Sequence, residues 1–239
     1  MRTIQIGGLT VRVAGGDDGQ GGGEGPLVVL LHGFGAPGDD LVPLAGELRV
    51  PSGTRFVFPH GPLSLNMGYG EARAWWIIDM NRLAQERAVG RLRDLSAEVP
   101  RGLPAAREAL ESLLVDLPKR ISVDHDNTII GGFSQGAMLT CDLVMRTACP
   151  CAGLIQLSST LFARQEWNPD LSPRRGLPVF QSHGTDDEIL HYQMAERLRD
   201  ELCEAGLSVE WHGFQGGHEI PASVMTRLNQ FLTNVLSPR

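Results

Sequence analysis

The chain has 239 residues, of which 42% are hydrophobic and 21% are charged, and its formal net charge is −7. Lys119 is the only lysine and the arginines are scattered, so the sequence has no basic stripe that could neutralise nucleic-acid phosphates. These properties predict a single globular domain over 1–239 that does not bind nucleic acid.

The beginning of the chain predicts an edge hairpin followed by a connector. Apolar residues alternate with polar or small ones on either side of Gly7-Gly8, which is typical of a short hairpin at a sheet edge. Residues 14–26 are mostly glycine and lack the G-K-[ST] ending of a phosphate-binding loop, so we expect a flexible connector. The longest apolar run, 27–31, is far too short to cross a bilayer, and we expect a soluble, cytoplasmic protein without integral membrane association.

From Leu27 onward, buried-strand patterns alternate with helical patterns. The strand candidates are Leu27 to Leu31, Arg55 to Phe58, Asn127 to Ile130, Ala152 to Leu157, Pro178 to Gln181 and Ser208 to Trp211. The helix candidates are Asp39 to Leu48, Pro104 to Lys119, Gln135 to Thr147, His191 to Ala205 and Pro221 to Leu236. This alternation predicts an α/β fold with a mainly parallel central sheet and helices on both faces.

The segment 61–103 does not follow the alternation. It carries Met67, Trp75 and Trp76, followed by an arginine-rich polar stretch, and it has no strand pattern. Because long excursions from a compact domain often cover a site, we interpret 61–103 as a lid or substrate loop.

The pentapeptide from Gly132 to Gly136 is a candidate nucleophile elbow. Its serine, Ser134, stands between an apolar strand pattern and a helical run, and glycines lie two residues before and after it. In a strand, turn and helix of this kind the serine hydroxyl projects out of the sheet, and the residue after it supplies a backbone N–H for an oxyanion. Ser134 is therefore the candidate nucleophile, and Gln135 the candidate donor.

A serine nucleophile needs a base to accept its proton. Among seven histidines, His218 lies on a glycine-rich loop between the last strand and the last helix, where this architecture would deliver the base. His32 and His183 each precede a glycine at a strand end, and we interpret them as structural residues whose rings bond loop backbone.

The acid that orients the base should follow the strand at Leu177 to Ser182. Three acids, Asp186, Asp187 and Glu188, occur there, and spacing alone does not choose among them. The second oxyanion donor should come from the loop after an early strand, and residues 30–35 supply a suitable His-Gly-x-Gly turn.

Taken together, these blocks resemble the phospholipase/carboxylesterase family of α/β hydrolases. The resemblance covers Leu27 to the last helix and rests on Leu31-His32-Gly33-Phe34-Gly35 with Asp39-Asp40, Phe58-Pro59, Ala74-Trp75-Trp76, Gly131 to Gly136, Leu157-Ser158, His183 to Asp187, and Gly217 to Ile220. It implies an α/β-hydrolase fold, a Ser-Asp-His triad and hydrolysis of carboxylic esters or thioesters without a cofactor. It also implies that Asp187 is the acid and that the second oxyanion donor is the N–H of Phe34.

These observations lead to a functional hypothesis. We expect a carboxylesterase that cleaves small to medium hydrophobic esters with Ser134, Asp187 and His218 as its triad. The candidate substrate contacts are apolar residues of the 61–103 segment, namely Leu65, Met67, Trp75 and Trp76. A thioesterase or lysophospholipase would use the same machinery, and a non-catalytic, hydrolase-like binding module is the alternative from another class.

The sequence predicts neither a metal nor a cofactor. The four cysteines are too few and too irregularly spaced for a disulfide framework or a recognisable zinc site, so we interpret them as reduced thiols. The expected partner is a small-molecule ester, and we expect the protein to be a monomer or a homodimer.

Overall fold

The computed structural model describes residues 1–68, 70–88, 93–147, 149–170 and 172–236. Within them ten strands form, β1 Arg2–Ile6, β2 Leu9–Gly15, β3 Leu27–Leu31, β4 Arg55–Pro59, β5 Leu63–Leu65, β6 Ala72–Ala74, β7 Thr128–Phe133, β8 Gly153–Leu157, β9 Pro178–Gly184 and β10 Ser208–Phe214. The α-helices of the same residues are α1 Leu44–Glu47, α2 Met80–Ala88, α3 Leu103–Asp116, α4 Gln135–Arg146, α5 Tyr192–Glu204 and α6 Ala222–Leu236.

The central sheet has eight strands in the order β1-β2-β4-β3-β7-β8-β9-β10. The pairs β1/β2 and β2/β4 are antiparallel, and every later pair in this order is parallel. The amino-terminal hairpin thus extends one edge of the parallel sheet, which confirms the predicted mainly parallel sheet and the edge hairpin.

Apolar side chains cover both faces of the sheet. Along β3, Val28 and Leu30 pack with Leu228 of α6 on one face. Leu27, Val29 and Leu31 pack with Leu139 of α4 on the other. Strands buried on both sides are expected to be apolar at every position, and all five residues of β3 are buried. Helices α1 and α6 cover one face, and α3, α4 and α5 cover the other.

Two local predictions were wrong. The helix expected over Asp39 to Leu48 reduces to α1, because the chain before it forms i to i+3 turns such as Val42 N–H to Asp39 C=O. Pro43 has no N–H and its ring would collide with the carbonyl four residues earlier, so an α-helix does not start before it.

The segment 61–103 is not free of strands. Strands β5 and β6 pair antiparallel, with Leu63 opposite Ala74, and α2 follows them. The two strands are only three residues long, which is below the length at which alternation becomes recognisable in a sequence. Residues 69 and 89–92 of this segment lie outside the described ranges.

Parallel strands end at the same edge of the sheet, and this edge collects the loops of interest. The turn at 32–35 follows β3, Ser134 follows β7, Asp187 comes three residues after β9 and His218 four residues after β10. Ligands of open α/β sheets bind at this carboxyl edge.

Candidate active site

Ser134 occupies a sharp turn between β7 and α4. Its backbone has φ 53° and ψ −119°, a conformation that L-residues rarely adopt and that costs on the order of 1–3 kcal/mol. A Cβ on Gly132 or Gly136 would lie 2.4 or 2.2 Å from the carbonyl oxygen of Leu31, so only glycine fits on either side. The Ser134 hydroxyl does not cap α4, and it faces a cavity that His218 also lines.

Two backbone N–H groups lie next to Ser134. The first intrahelical hydrogen bond of α4 runs from Met138 N–H to the carbonyl of Ser134, so the N–H of Gln135 precedes the bonded part of the helix. The N–H of Phe34 has no protein acceptor among the described residues, although its neighbour Gly35 donates to the carbonyl of Arg73 at 2.8 Å. A Cβ on Gly33 would lie 3.3 Å from the Cβ of Ser134, so the two turns touch.

The side chain of Gln135 ties α4 to the segment that follows β6. Its Oε1 accepts a 2.9 Å hydrogen bond from the N–H of Trp75, and its Nε2 donates a 2.9 Å bond to the carbonyl of Trp76. Gln135 is buried, and both ends of its amide are therefore satisfied. The sequence predicted a role only for the backbone of Gln135, because no local pattern indicates a side-chain contact across 60 residues.

Asp187 is the buried acid of the loop after β9, whereas Asp186 and Glu188 are exposed. Its Oδ1 accepts 2.9 Å bonds from the N–H groups of Ile189 and Leu190, and its Oδ2 lies 2.7 Å from Nδ1 of His218. Burial alone would raise the pKa of Asp187, but hydrogen bonds from His183 and His218 outweigh burial and hold that pKa well below its usual range. The carboxylate is therefore ionised at neutral pH.

His218 is held between Asp187 and the elbow. Besides its bond to the carboxylate, its ring lies against Phe133, with 4.8 Å between the ring centroids. The imidazole Nδ1 donates to Asp187, which leaves Nε2 as the atom that can accept a proton.

The loops that carry Asp187 and His218 are joined through their backbones. Asp186 N–H donates to the carbonyl of Gly216 at 2.9 Å, and Thr185 N–H donates to Phe214 at 2.8 Å. A Cβ on Gly184 would lie 2.2 Å from the carbonyl oxygen of Gly217, so glycine is required where the loops meet.

His32 and His183 both bond loop backbone, as their positions suggested. His32 Nδ1 donates to the carbonyl of Gly33 at 2.7 Å, and its Nε2 accepts a 2.7 Å bond from Gly61 N–H. Burial lowers the pKa of His32 to about 4, so its ring is neutral at pH 7. His183 Nε2 lies 2.6 Å from the carbonyl oxygen of Leu190.

A cavity of about 590 Å³ opens at this edge of the sheet. Ser134, Gln135, Phe34 and His218 line it, and the rest of its lining is mainly apolar, including Met67, Trp76, Leu83, Leu95, Met138 and Leu190. Charged side chains stand among its lining residues as well, namely Asp40, Asp79, Arg82, Arg93, Glu98 and Arg101. Such a lining suits a predominantly apolar ligand.

The candidate substrate residues divide into two pairs. Met67 and Trp76 line the cavity, and the Trp76 ring stacks on Phe162 with 6.1 Å between centroids. Leu65 and Trp75 are not among the lining residues. Trp75 is buried beside His32, and its indole N–H donates a 3.1 Å bond to the His32 carbonyl.

Part of the cavity rim is apolar and exposed. Ile77, Met80 and Val99 line the cavity and are 65%, 46% and 37% exposed, respectively. Large apolar side chains clustered around an opening often mark a ligand-binding groove.

The far end of the 61–103 segment is anchored to the body of the protein. Arg197 of α5 pairs with Asp94 at 2.8 Å, and Arg164 N–H donates a 2.7 Å bond to the Ser96 carbonyl. Within the segment, Arg82 pairs with Glu86 at 2.9 Å and with Glu98 at 2.6 Å. These contacts hold the wall of the cavity against the rest of the fold.

The described residues contain no cluster of histidine, cysteine and acidic side chains that could hold a metal ion. A search of the same residues for a helix long and apolar enough to span a membrane also finds none.

The chain is similar to known proteins of one family. The model of the phospholipase/carboxylesterase family matches residues 20–236. Acyl-protein thioesterase 1 of Neurospora crassa is 26% identical over 221 residues, which cover 87% of this chain and 86% of that protein.

Solved structures share the fold. Esterase PE8 is 26% identical, with a TM-score of 0.76, and the match covers 95% of this chain and 99% of that one. The Bacillus cereus carboxylesterase is 21% identical, with a TM-score of 0.69 and coverage of 94% and 93%, which shows the shared fold alone.

Proposed function

The chain belongs to the phospholipase/carboxylesterase family, and we propose that it is a serine esterase that cleaves small to medium hydrophobic esters through an acyl-enzyme. Ser134 is the nucleophile, His218 the general base and Asp187 the acid that orients the base. The observation that supports this assignment is the 2.7 Å contact between Asp187 Oδ2 and His218 Nδ1. His218 and Ser134 line the same cavity.

In the first half-reaction, Ser134 Oγ attacks the ester carbonyl carbon while His218 Nε2 takes the hydroxyl proton. The resulting tetrahedral intermediate collapses, and its bond to the alcohol oxygen breaks. The imidazolium returns its proton to that oxygen, and the alcohol leaves. Asp187, which stays ionised, stabilises the imidazolium.

The second half-reaction repeats these steps with water. His218 Nε2 takes a proton from water as the water oxygen attacks the acyl carbon. The bond to Ser134 Oγ then breaks, and Oγ regains the proton. The products are the free acid and the restored serine.

The N–H groups of Phe34 and Gln135 stabilise the oxyanion in both halves. Donors of this kind contribute roughly 3–4 kcal/mol each in well-studied enzymes. Their availability supports the role, since Phe34 N–H has no protein acceptor among the described residues and Gln135 N–H precedes the first bond of α4.

The 61–103 segment contributes to the wall of the cavity, and this wall selects the substrate. We propose that this segment is the substrate loop of one hydrolase domain and that Met67 and Trp76 contact the acyl or alcohol group. Because the cavity is about 590 Å³ and mainly apolar, it favours hydrophobic esters of modest size.

A fluorophosphonate probe tests the nucleophile. The folded protein should become covalently labelled at Ser134, as located by peptide mass spectrometry, and Ser134→Ala should not be labelled. If the folded wild-type protein stays unlabelled and hydrolyses no ester, the chain is the non-catalytic binding module instead.

A thioesterase is the second candidate, because the Neurospora crassa relative carries the name acyl-protein thioesterase. Kinetics on matched acetate, butyrate, octanoate and palmitate esters, on thioesters of the same acids and on a lysophospholipid distinguish the candidates. We expect the highest kcat/KM for butyrate or octanoate esters. A preference for the thioesters or for the lysophospholipid would favour the alternative.

A further inference from the structure

A second histidine, His183, contacts the Asp187 carboxylate from inside the protein. It is the penultimate residue of β9, four positions before Asp187, and its side chain is fully buried. Its Nε2 lies 2.6 Å from the carbonyl oxygen of Leu190 and 3.2 Å from Oδ2 of Asp187. Because both neighbours are acceptors, Nε2 carries a hydrogen that the two oxygens share.

His183, Leu190 and Asp187 form a closed ring of hydrogen bonds. Leu190 N–H donates to Asp187 Oδ1, while the Leu190 carbonyl accepts from His183. Asp187 Oδ2 in turn receives Nδ1 of His218 from one side and Nε2 of His183 from the other. The carboxylate therefore cannot rotate without breaking its contact to His183.

Packing alone does not account for a histidine at this position. Its other ring nitrogen, Nδ1, is buried and has no hydrogen-bond partner among the described residues. An unsatisfied buried polar atom destabilises a fold, and an apolar side chain of similar size would avoid that cost. The polar contact at Nε2 is the feature that an apolar residue could not supply.

We propose that His183 is a positioning residue for hydrolysis, whose Nε2–H fixes the Asp187 carboxylate in the orientation that meets Nδ1 of His218. The inference rests on the proposed function, in which Asp187 is the acid of the triad. His183 is not among the residues that line the cavity, so it acts through Asp187 and not on the substrate.

Substitutions that keep or remove the donor test this role. The amide nitrogen of His183→Gln can reach the place of Nε2, whereas His183→Met fills similar space without a donor, and the shorter His183→Asn does not reach. Gln181→Met is the matched control, because Gln181 is buried on the same strand and face, and its amide donates to Ala195 at 2.8 Å, away from Asp187.

For His183→Met we expect kcat to fall about 10-fold with KM nearly unchanged, as when outer hydrogen-bond partners are removed from other sites. His183→Gln should recover most of the loss and His183→Asn little of it, which keeps the comparison available if the methionine variant does not fold. Gln181→Met should lower the melting temperature and leave kcat unchanged. Wild-type kcat in a folded His183→Met, or an equal loss of kcat in Gln181→Met, would overturn the proposal.

The same substitution in an Asp187→Asn background distinguishes failure of the positioning role from failure of the proposed triad. If His183 acts through Asp187, His183→Met should add almost nothing to the loss that Asp187→Asn causes. A further loss of similar size would overturn the positioning role. Full activity of Asp187→Asn by itself would instead refute the proposed triad.

Discussion

The amide of Gln135 and the backbone of Trp75 are joined by a 2.9 Å hydrogen bond, and the other end of the same amide binds the next carbonyl, that of Trp76. One residue thus contributes its N–H to the proposed oxyanion site and its side chain to the wall of the cavity. The position of the wall and that of the donor are coupled by this contact.

Gln135→Met should break this coupling without removing the backbone N–H. Two buried backbone groups would lose their partners, and we expect the free energy of unfolding to fall by about 1–3 kcal/mol. The ratio of kcat/KM for octanoate and acetate esters should also change, because the wall shifts. Gln230→Met, at an exposed glutamine of α6, should change stability by less than about 0.5 kcal/mol. An unchanged ester ratio in Gln135→Met would contradict the coupling.

Backbone strain at Ser134 predicts an order of stability among inactive variants. Glycine adopts a φ of 53° without the Cβ penalty, so Ser134→Gly should be about 1 kcal/mol more stable than Ser134→Ala in urea unfolding. Both variants should lose esterase turnover. Equal stability of the two would mean that the elbow stores no strain.

Substitution of the neighbouring acids Asp186 and Asp187 should affect kcat to different extents. Asp187→Asn should lower kcat by about 10⁴-fold, as loss of the orienting acid does in other triads, because it removes the charge beside His218. Asp186→Asn should remain close to wild type, since Asp186 is exposed and only its backbone binds the base loop. Steady-state kinetics on a butyrate ester decides between them, and equal, slight effects would refute the assignment.

His32 should make stability depend on pH between about 4 and 6.5. Burial lowers its folded-state pKa to about 4, so in this window His32 binds more protons in the unfolded chain, and its contribution to stability rises with pH. The contribution of His32 is absent above about 6.5 and amounts to about 3 kcal/mol of destabilisation below about 4. Asp40 acts in the opposite direction, because burial raises its folded-state pKa to about 6 and its contribution falls as pH rises between about 4 and 6.

Urea unfolding at a series of pH values measures this effect. The depressed pKa of Asp187 acts in a lower window: its stabilisation is present above the unfolded value of about 3.9 and is lost as pH falls through the folded value. His32→Gln, which can still accept from Gly61 N–H, should make the slope of stability against pH between about 4 and 6.5 less positive than in wild type. His60→Gln separates a second contribution of the same sign, because burial also lowers the pKa of His60. An identical slope in His32→Gln and wild type would exclude His32 as the source.

Substitution of Trp76 should change substrate specificity, whereas substitution of Trp75 should change stability. Trp76→Phe changes the cavity wall and should alter the preferred acyl length, whereas Trp75→Phe removes the bond to the His32 carbonyl and should mainly lower stability, by about 1 kcal/mol. Kinetics on the ester series and urea unfolding of both variants test this. A shift in acyl preference with Trp75→Phe alone would reverse the two roles.

Local patterns predicted most of the sheet and the loops at its carboxyl edge. Strand β3 was predicted with its observed bounds, because five consecutive apolar residues between turn signals have few other interpretations. The roles of Ser134, Asp187, His218, Phe34 and Gln135 stay predictions, although their geometry supports them. So do the single domain, the cytoplasmic location, the absence of nucleic-acid binding and the monomeric or homodimeric state.

The parts that escaped prediction depend on contacts between distant residues. Spacing left Asp186, Asp187 and Glu188 equivalent, and burial against His183 and His218 is what distinguishes Asp187. Leu65 and Trp75 share apolar character with Trp76, but which of them lines the cavity is decided by tertiary packing. No pattern within a single segment carries such information.

The contact between Gly184 and Gly217 is a junction where substitution of Gly184 is not tolerated, unlike substitutions in the wall of the cavity. Because the loops of Asp187 and His218 touch with no space for a side chain, a change that moves one loop must move the other. The wall residues at 77–83 and 93–101 are not among the groups that meet at this junction. Laboratory evolution of ester preference should therefore accumulate substitutions in the wall and leave the junction untouched.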